Sequence, residues 1–206
     1  MTAGGPCGET AVKGSEAIRH EVIMAGVGGR GVLMAGLLLA QAGMTEYPNV
    51  LWFPSYATAM RGGPCECTVV LSNSAIASPA LSRAQAVIIM ERSEVKPFQS
   101  RVRSGGIAIV ESTGVPEKMD RDDITAVYVP AVEKAVALGN AQVANLLLLG
   151  AYVEMTRAVS STPVVSPEAI DRVLEQRLAG REQILDLNRR ALREGMDAAR
   201  DFAQGT

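Results

Sequence analysis

A glycine-rich segment, Gly26-Val27-Gly28-Gly29-Arg30-Gly31, stands between a short apolar run at residues 21–25 and a long one at residues 31–42. The first run (EVIMA) has the length and unbroken hydrophobicity of a strand buried on both faces. The second (GVLMAGLLLAQA) is rich in Leu and Ala, with Gly36 its one internal turn residue, and reads as a buried helix. A strand that turns through glycines into a helix has physical meaning. The glycines permit a tight turn, let a ligand approach the backbone, and leave amide N–H groups at a helix N-terminus facing an anion. The segment predicts an α/β fold with an anion-receiving loop.

The rest of the chain repeats the same alternation. Further strands are predicted at residues 50–53 (stopped by Pro54), 66–72, 86–90, 107–110 after Gly105-Gly106, and 124–129 before Pro130. With helical runs between them, these describe a Rossmann-like, mostly parallel sheet with helices on both faces. The C-terminal third is helical: residues 131–138, then 141–158 beyond the break at Gly139-Asn140. Ser166-Pro167-Glu168 is a helix start, with Ser as N-cap and Pro at the first helical position. In the last helix Ile184, Leu187, Ala191, Gly195, Ala198 and Phe202 form one apolar stripe at spacings of three or four. Residues 166–204 carry eight acids and seven arginines on the remaining faces. This C-terminal helical extension either covers a sheet edge or docks on another subunit. Residues 1–17 read as a flexible N-terminal tail, and residues 18–206 as one domain.

Composition removes several functions. A net charge of −2, no basic run and 4% aromatic residues give no footprint for nucleic acid. The longest apolar stretches, residues 31–43 and 143–153, fall short of the roughly 20 needed to span a membrane, so a cytoplasmic location is expected. Three cysteines (Cys7, Cys65, Cys67) and no signal-like start argue against a disulfide-built fold. Cys65 and Cys67 sit two apart on a predicted strand and share a face, but two thiols do not complete an iron–sulfur site. The lone His20 reads as a strand-edge residue.

The glycine loop lacks the second half of a dinucleotide fingerprint. That fingerprint needs an acid at the end of the second strand, to accept from a ribose hydroxyl. Here Glu46 precedes the strand, and Pro54-Ser55-Tyr56 follows it. There is no triphosphate-binding P-loop and no nucleophile elbow. Two further segments fit an anion site. Residues 54–64 form a polar, Gly-rich loop that carries Arg61 and Gly62 toward the carboxyl edge of the sheet. Gly139-Asn140, near Asn145, is either a helix end or a polar notch on the same crevice.

Gly26-x-Gly28-Gly29-x-Gly31-Val32, then Pro54-Ser55-Tyr56 running to Met60-Arg61-Gly62-Gly63, then Cys67-Thr68-Val69-Val70-Leu71-Ser72 together resemble the gamma subunit of 2-oxoacid:ferredoxin oxidoreductases. Gly139-Asn140 leading to Leu149-Gly150-Ala151, and Asn188 with Ala191-Leu192 and Gly195, match as well. The resemblance runs from about residue 19 to 200. The family usually has Gln where this chain has Arg30, and Gly where it has Ala57.

The resemblance implies one subunit of an enzyme that converts a 2-oxoacid, coenzyme A and an oxidised acceptor to acyl-CoA, carbon dioxide and reduced acceptor. It also implies thiamine diphosphate, Mg and [4Fe-4S] clusters held by alpha, beta and ferredoxin-like delta partners, with ferredoxin or a related protein as acceptor. This chain would bind none of those cofactors alone and would carry no catalytic residue. Its contribution would be scaffolding and contact with coenzyme A through Gly26, Gly28, Gly29, Arg30, Gly31, Ser55, Tyr56, Arg61, Gly62 and Asn140. Two alternatives stay open: a self-sufficient nucleotide-dependent oxidoreductase, and an interaction module whose loop serves only packing.

Overall fold

The computed structural model describes residues 18–56, 62–114 and 117–205. The predicted tail at residues 1–17, and Arg61 with it, lie outside the described residues. The chain orders as β1 (Arg19–Val27), α1 (Val32–Gly43), β2 (Asn49–Tyr56), β3 (Pro64–Ser72), β4 (Ala84–Ile89), α2 (Val95–Gln99), β5 (Val102–Glu111), β6 (Thr125–Val129), α3 (Ala131–Ala137), α4 (Ala144–Ser160), α5 (Pro167–Arg177) and α6 (Glu182–Gln204). The strands form one sheet in the order β2-β3-β1-β4-β5-β6. β1, β4, β5 and β6 pair in parallel, while β3 lies antiparallel between β1 and β2, so five of six strands point the same way.

β1 occupies the middle because its side chains are apolar on both faces. Val22 and Met24 enter the larger core and Ile23 the smaller one. The larger core fills the space between the sheet and α1, α3, α4, α5 and α6. The smaller is closed by α2 and by the irregular link to β4, through Val95, Phe98 and Leu81. Helices therefore cover both faces, unequally. Arg101 fastens the thinner side: its guanidinium donates to Glu66 Oε2 and to the Leu81 carbonyl, both at 2.7 Å.

Three sequence expectations are corrected. Pro54 does not stop the second strand; β2 continues to Tyr56, with Pro54 opposite Cys67. β2 is an edge strand with one neighbour, so a proline without an N–H is tolerated there. The predicted loop at residues 54–64 is shorter: Pro54 to Tyr56 belong to β2 and Pro64 already belongs to β3, its antiparallel neighbour. Gly105-Gly106 does not precede the fifth strand but lies inside it. The register jumps from Ala84↔Val102 to Ala86↔Ile107, a bulge that absorbs both glycines.

The C-terminal helices pack as a unit against α1 and the sheet. Ser166 Oγ accepts from Ala169 N–H, as its N-cap position predicts, and also meets Glu46 Oε1 at 2.5 Å. In α6 the fully buried positions are Ala191, Leu192, Gly195 and Ala199. The predicted stripe faces the core at Leu187, Ala191, Gly195, Ala198 and Phe202, is widened by Leu192 and Ala199, and fails only at Ile184, which is exposed. Glu154 of α4 is buried and receives both Arg157 and Arg200, which ties α4 to α6. Among the described residues no helix is long and apolar enough to cross a membrane.

Candidate functional site

The glycine loop joins the carboxyl end of β1 to α1. Gly29 and Gly31 have φ of 95° and 78°, the left-handed region that disfavours side chains. Gly31 is further fixed by its neighbour: an added Cβ would lie 2.5 Å from Asn145 Nδ2. Asn145, buried at the start of α4, donates to the Gly31 carbonyl at 3.2 Å and accepts from Leu146 N–H at 2.9 Å. A loop and a helix more than a hundred residues apart are locked together by one amide side chain.

Not every loop amide is available to a ligand. Gly28 N–H donates to the Gly63 carbonyl at 2.9 Å, which pins the β2–β3 hairpin tip to the loop. Arg30 N–H turns back to the Val27 carbonyl at 3.2 Å. Gly29 and Gly31 keep N–H groups with no acceptor among the described residues. The expected cradle of Gly28, Gly29 and Gly31 is therefore narrower, because the hairpin has taken Gly28.

Two adjoining hollows of about 110 and 170 Å³ open beside Arg30, between the loop, the ends of β4 and β5, and the starts of α3 and α4. Arg30 is not a bare cation: its guanidinium meets Glu91 Oε2 at 2.9 Å. Glu111 is also committed, accepting from Thr113 N–H at 2.6 Å and from Val132 N–H at 3.0 Å, where it caps α3. Arg92 and Lys96 face Glu117, and the Lys96 ammonium, with Arg92, holds that carboxyl below its ordinary range. The crevice holds the Arg30–Glu91 pair and the amide-bound Glu111 beside the unclaimed amide of Gly29.

Of the other predicted residues, Gly62 (φ 92°) is next to Gly28 in the hairpin tip. Ser55 and Tyr56 end β2, opposite Glu66 and Cys65. Asn140 does not join the crevice. It caps the turn Ala141–Val143 by accepting from Gln142 N–H at 2.9 Å, and it lines a separate groove. Gly139, with φ 105°, closes α3, with Gly139 N–H bonded to Val136 and Asn140 N–H to Ala135, so the helix-end reading holds for this pair. Sequence reasoning missed Glu91 and Glu111. The signal for them was position: they follow the carboxyl ends of β4 and β5, where ligands of such sheets gather.

The topology also bears on dinucleotide binding. β3 intervenes between β1 and β2, so the end of β2 lies two strand spacings, about 10 Å, from β1. A carboxylate there could not reach a ribose held over the glycine loop as it does where the two strands are neighbours. Glu46 instead binds the Ser166 backbone and hydroxyl.

Among the described residues, neither cysteine offers a thiolate. Cys67 is buried, its thiol approaches the Val32 carbonyl, and burial pushes its pKa up to about 12. Burial, then the Glu66 charge, raises Cys65 as well. Among the described residues no three of His, Cys, Asp and Glu converge as a metal-ligand set. His20 stands at the margin of strand β1, as its second residue, lies edge-on to Tyr47 at 5.8 Å, and is lowered in pKa by burial.

Comparison with known proteins agrees with this architecture. The family described as pyruvate ferredoxin/flavodoxin oxidoreductase matches residues 21–198. The ketoisovalerate oxidoreductase subunit VorA of Methanothermobacter thermautotrophicus is 34% identical over 89% of this chain, which spans 37% of the length of that relative. The 2-oxoglutarate synthase subunit KorC of the same organism is 30% identical and matches 84% of this chain over 98% of its own length. Among solved structures, the gamma subunit of a keto/oxoacid ferredoxin oxidoreductase from Geobacter sulfurreducens superposes with a TM-score of 0.71 at 24% identity, over 87% of this chain and 98% of its own. A 2-oxoglutarate:ferredoxin oxidoreductase from Magnetococcus marinus, solved with 2-oxoglutarate, coenzyme A and succinyl-CoA, gives 0.79 at 18% identity, over 89% of this chain and 31% of its own. With a family match across most of its length, this chain belongs to the pyruvate ferredoxin/flavodoxin oxidoreductase family.

Proposed function

We propose that this chain is the gamma-type subunit of a multi-subunit, cytoplasmic 2-oxoacid oxidoreductase. The enzyme forms acyl-CoA and carbon dioxide and passes electrons to ferredoxin or a related acceptor. The observation that carries the reading is the match to KorC over 98% of its length, since that relative is named a subunit of a 2-oxoglutarate synthase. Thiamine diphosphate, Mg and [4Fe-4S] clusters supply carbanion stabilisation and electron transfer from alpha, beta and ferredoxin-like delta partners. The buried, protonated Cys67 and the paired carboxylates of this chain support placing them there.

Within that assembly the chain's own residues bind and position. The amides of Gly29 and Gly31, at the N-terminus of α1, suit the diphosphate of coenzyme A. Arg61, which precedes Gly62 in the sequence, is proposed as its guanidinium partner. Purification from the native source through a tag on this chain should bring down alpha, beta and delta subunits, with 2-oxoacid- and CoA-dependent reduction of a viologen dye. In that complex Arg61→Ala should raise KM for coenzyme A with KM for the 2-oxoacid unchanged. An unaltered KM for coenzyme A removes Arg61 from the site, and a chain that purifies without such partners removes the subunit reading.

A further inference from the structure

A groove of about 460 Å³ lies between α1, the junction of α3 with α4, the end of α5 and the start of α6. Its apolar wall includes Met34, Val143, Ile184 and Leu187. Met34 and Ile184 are 44% and 46% exposed, unusual for large apolar side chains facing one hollow. Its rim holds Arg177 and Arg181 and no acid. Arg177 gives one N–H to Gln41 Oε1 at 2.8 Å, and among the described residues neither arginine has a carboxylate within ion-pair distance. Arg189, about two turns beyond Arg181, shows what pairing looks like here: Asp171 at 2.5 Å, and Glu175. The sequence thus leaves two cations uncompensated on the border of an apolar hollow, in a region where acids outnumber arginines.

We propose that this groove receives a segment of another subunit, apolar along one side and carrying at least one carboxylate that meets Arg177 and Arg181. The inference rests on the subunit reading above and names where that docking occurs. Charge complementarity selects the occupant: an apolar center with a charged border is how protein partners are recognised, and the border here is of one sign. Polarizable Met34 suits a surface that must fit a foreign side chain. The position matters for function as well. Gln142 and Asn145 line both this groove and the glycine-loop crevice, so a docked segment becomes a neighbour of the loop.

The test uses the complex co-expressed with its partner subunits. A photo-crosslinking residue at Met34, Met34→p-benzoylphenylalanine, should capture a partner peptide with Asp or Glu among apolar residues. The same residue at Val159, which is 65% exposed elsewhere, should not capture it. The double change Arg177→Glu with Arg181→Glu, and separately Ile184→Asp, should each weaken association by about tenfold or more, while Arg→Lys at both positions retains it. Circular dichroism and Tm of each variant, matching the parent, separate loss of docking from loss of fold. Association unchanged by these variants, capture at Val159 but not at Met34, or a captured peptide without a carboxylate overturns the proposal and leaves the subunit reading standing. Protection of the Met34 probe by coenzyme A alone would make the groove a small-molecule site and overturn it too. A parent chain that associates with no 2-oxoacid oxidoreductase subunit removes both.

Discussion

Replacing Gly195 with alanine should destabilise the protein, although alanine is the better helix former. α4 and α6 cross backbone to backbone at Gly150 and Gly195. A methyl group on Gly195 would overlap the Leu147 carbonyl oxygen and lie 2.6 Å from its carbonyl carbon. Ordinary carbon contacts are about 3.5–4.0 Å, so α6 must withdraw by about 1 Å. Both sides of the contact are helix backbone, so no rotamer relieves it. Overpacking of this kind costs about 3 kcal/mol, the upper end of the usual range. The gain in helix propensity offsets about 1 kcal/mol. The net loss is about 2 kcal/mol, a fall in Tm of about 4–8 °C for a domain of this size. Thermal unfolding followed by far-ultraviolet circular dichroism reads it directly. A rise of about 2–4 °C, the effect of propensity alone, would refute the close crossing. Gly150→Ala should behave alike, and the double variant should lose less than the sum because the first methyl has already opened the seam.

Gly31→Ala should cost about 2 kcal/mol, from its positive φ and the contact with Asn145, and Asn145→Ala in the same chain should recover the contact's share in urea unfolding. Glu154 has its carboxyl pKa lowered, first by the Arg157 hydrogen bond and also by Arg200, so its contribution is full above the ordinary carboxylate range and is lost as pH falls through the lowered value. Glu154→Gln should therefore lose about 1–2 kcal/mol at neutral pH, with the gap to the parent closing on acidification in pH-dependent denaturant melts. In a Cys7→Ser, Cys65→Ser background, Cys67 should resist Ellman's reagent at mildly alkaline pH until urea unfolds the chain, because burial raises its thiol to about 12.

What could be read from the sequence follows the range of the forces involved. β1, α1 and the Ser166 cap are set by neighbours in the chain, by an apolar run, a glycine turn and an Oγ three residues from its acceptor amide; all three stand where expected. The extent of β2 depended on something distant. Only its place at the sheet edge makes Pro54 harmless, and edge position is decided by β3. α2 was invisible because Val95–Gln99 is one short turn containing Pro97, with no period to detect. The turn from β1 into α1 was legible from its glycines. The use of Gly28 N–H by Gly63, thirty-five residues away, was not. Arg30 shows the same limit: its charge was evident, but its partner Glu91 comes from another strand's end. The apolar stripe of α6 was legible from its spacing at Leu187, Ala191, Gly195, Ala198 and Phe202; the exposure of Ile184, at the start of the helix, was not.

The most direct measurement is a reconstitution titration: partner subunits purified without this chain, assayed for 2-oxoacid- and CoA-dependent dye reduction as the chain is added back. The account predicts negligible turnover from either component alone and a linear rise that ends at a fixed stoichiometry. Turnover by the isolated chain, or full activity of the partners in its absence, would contradict it.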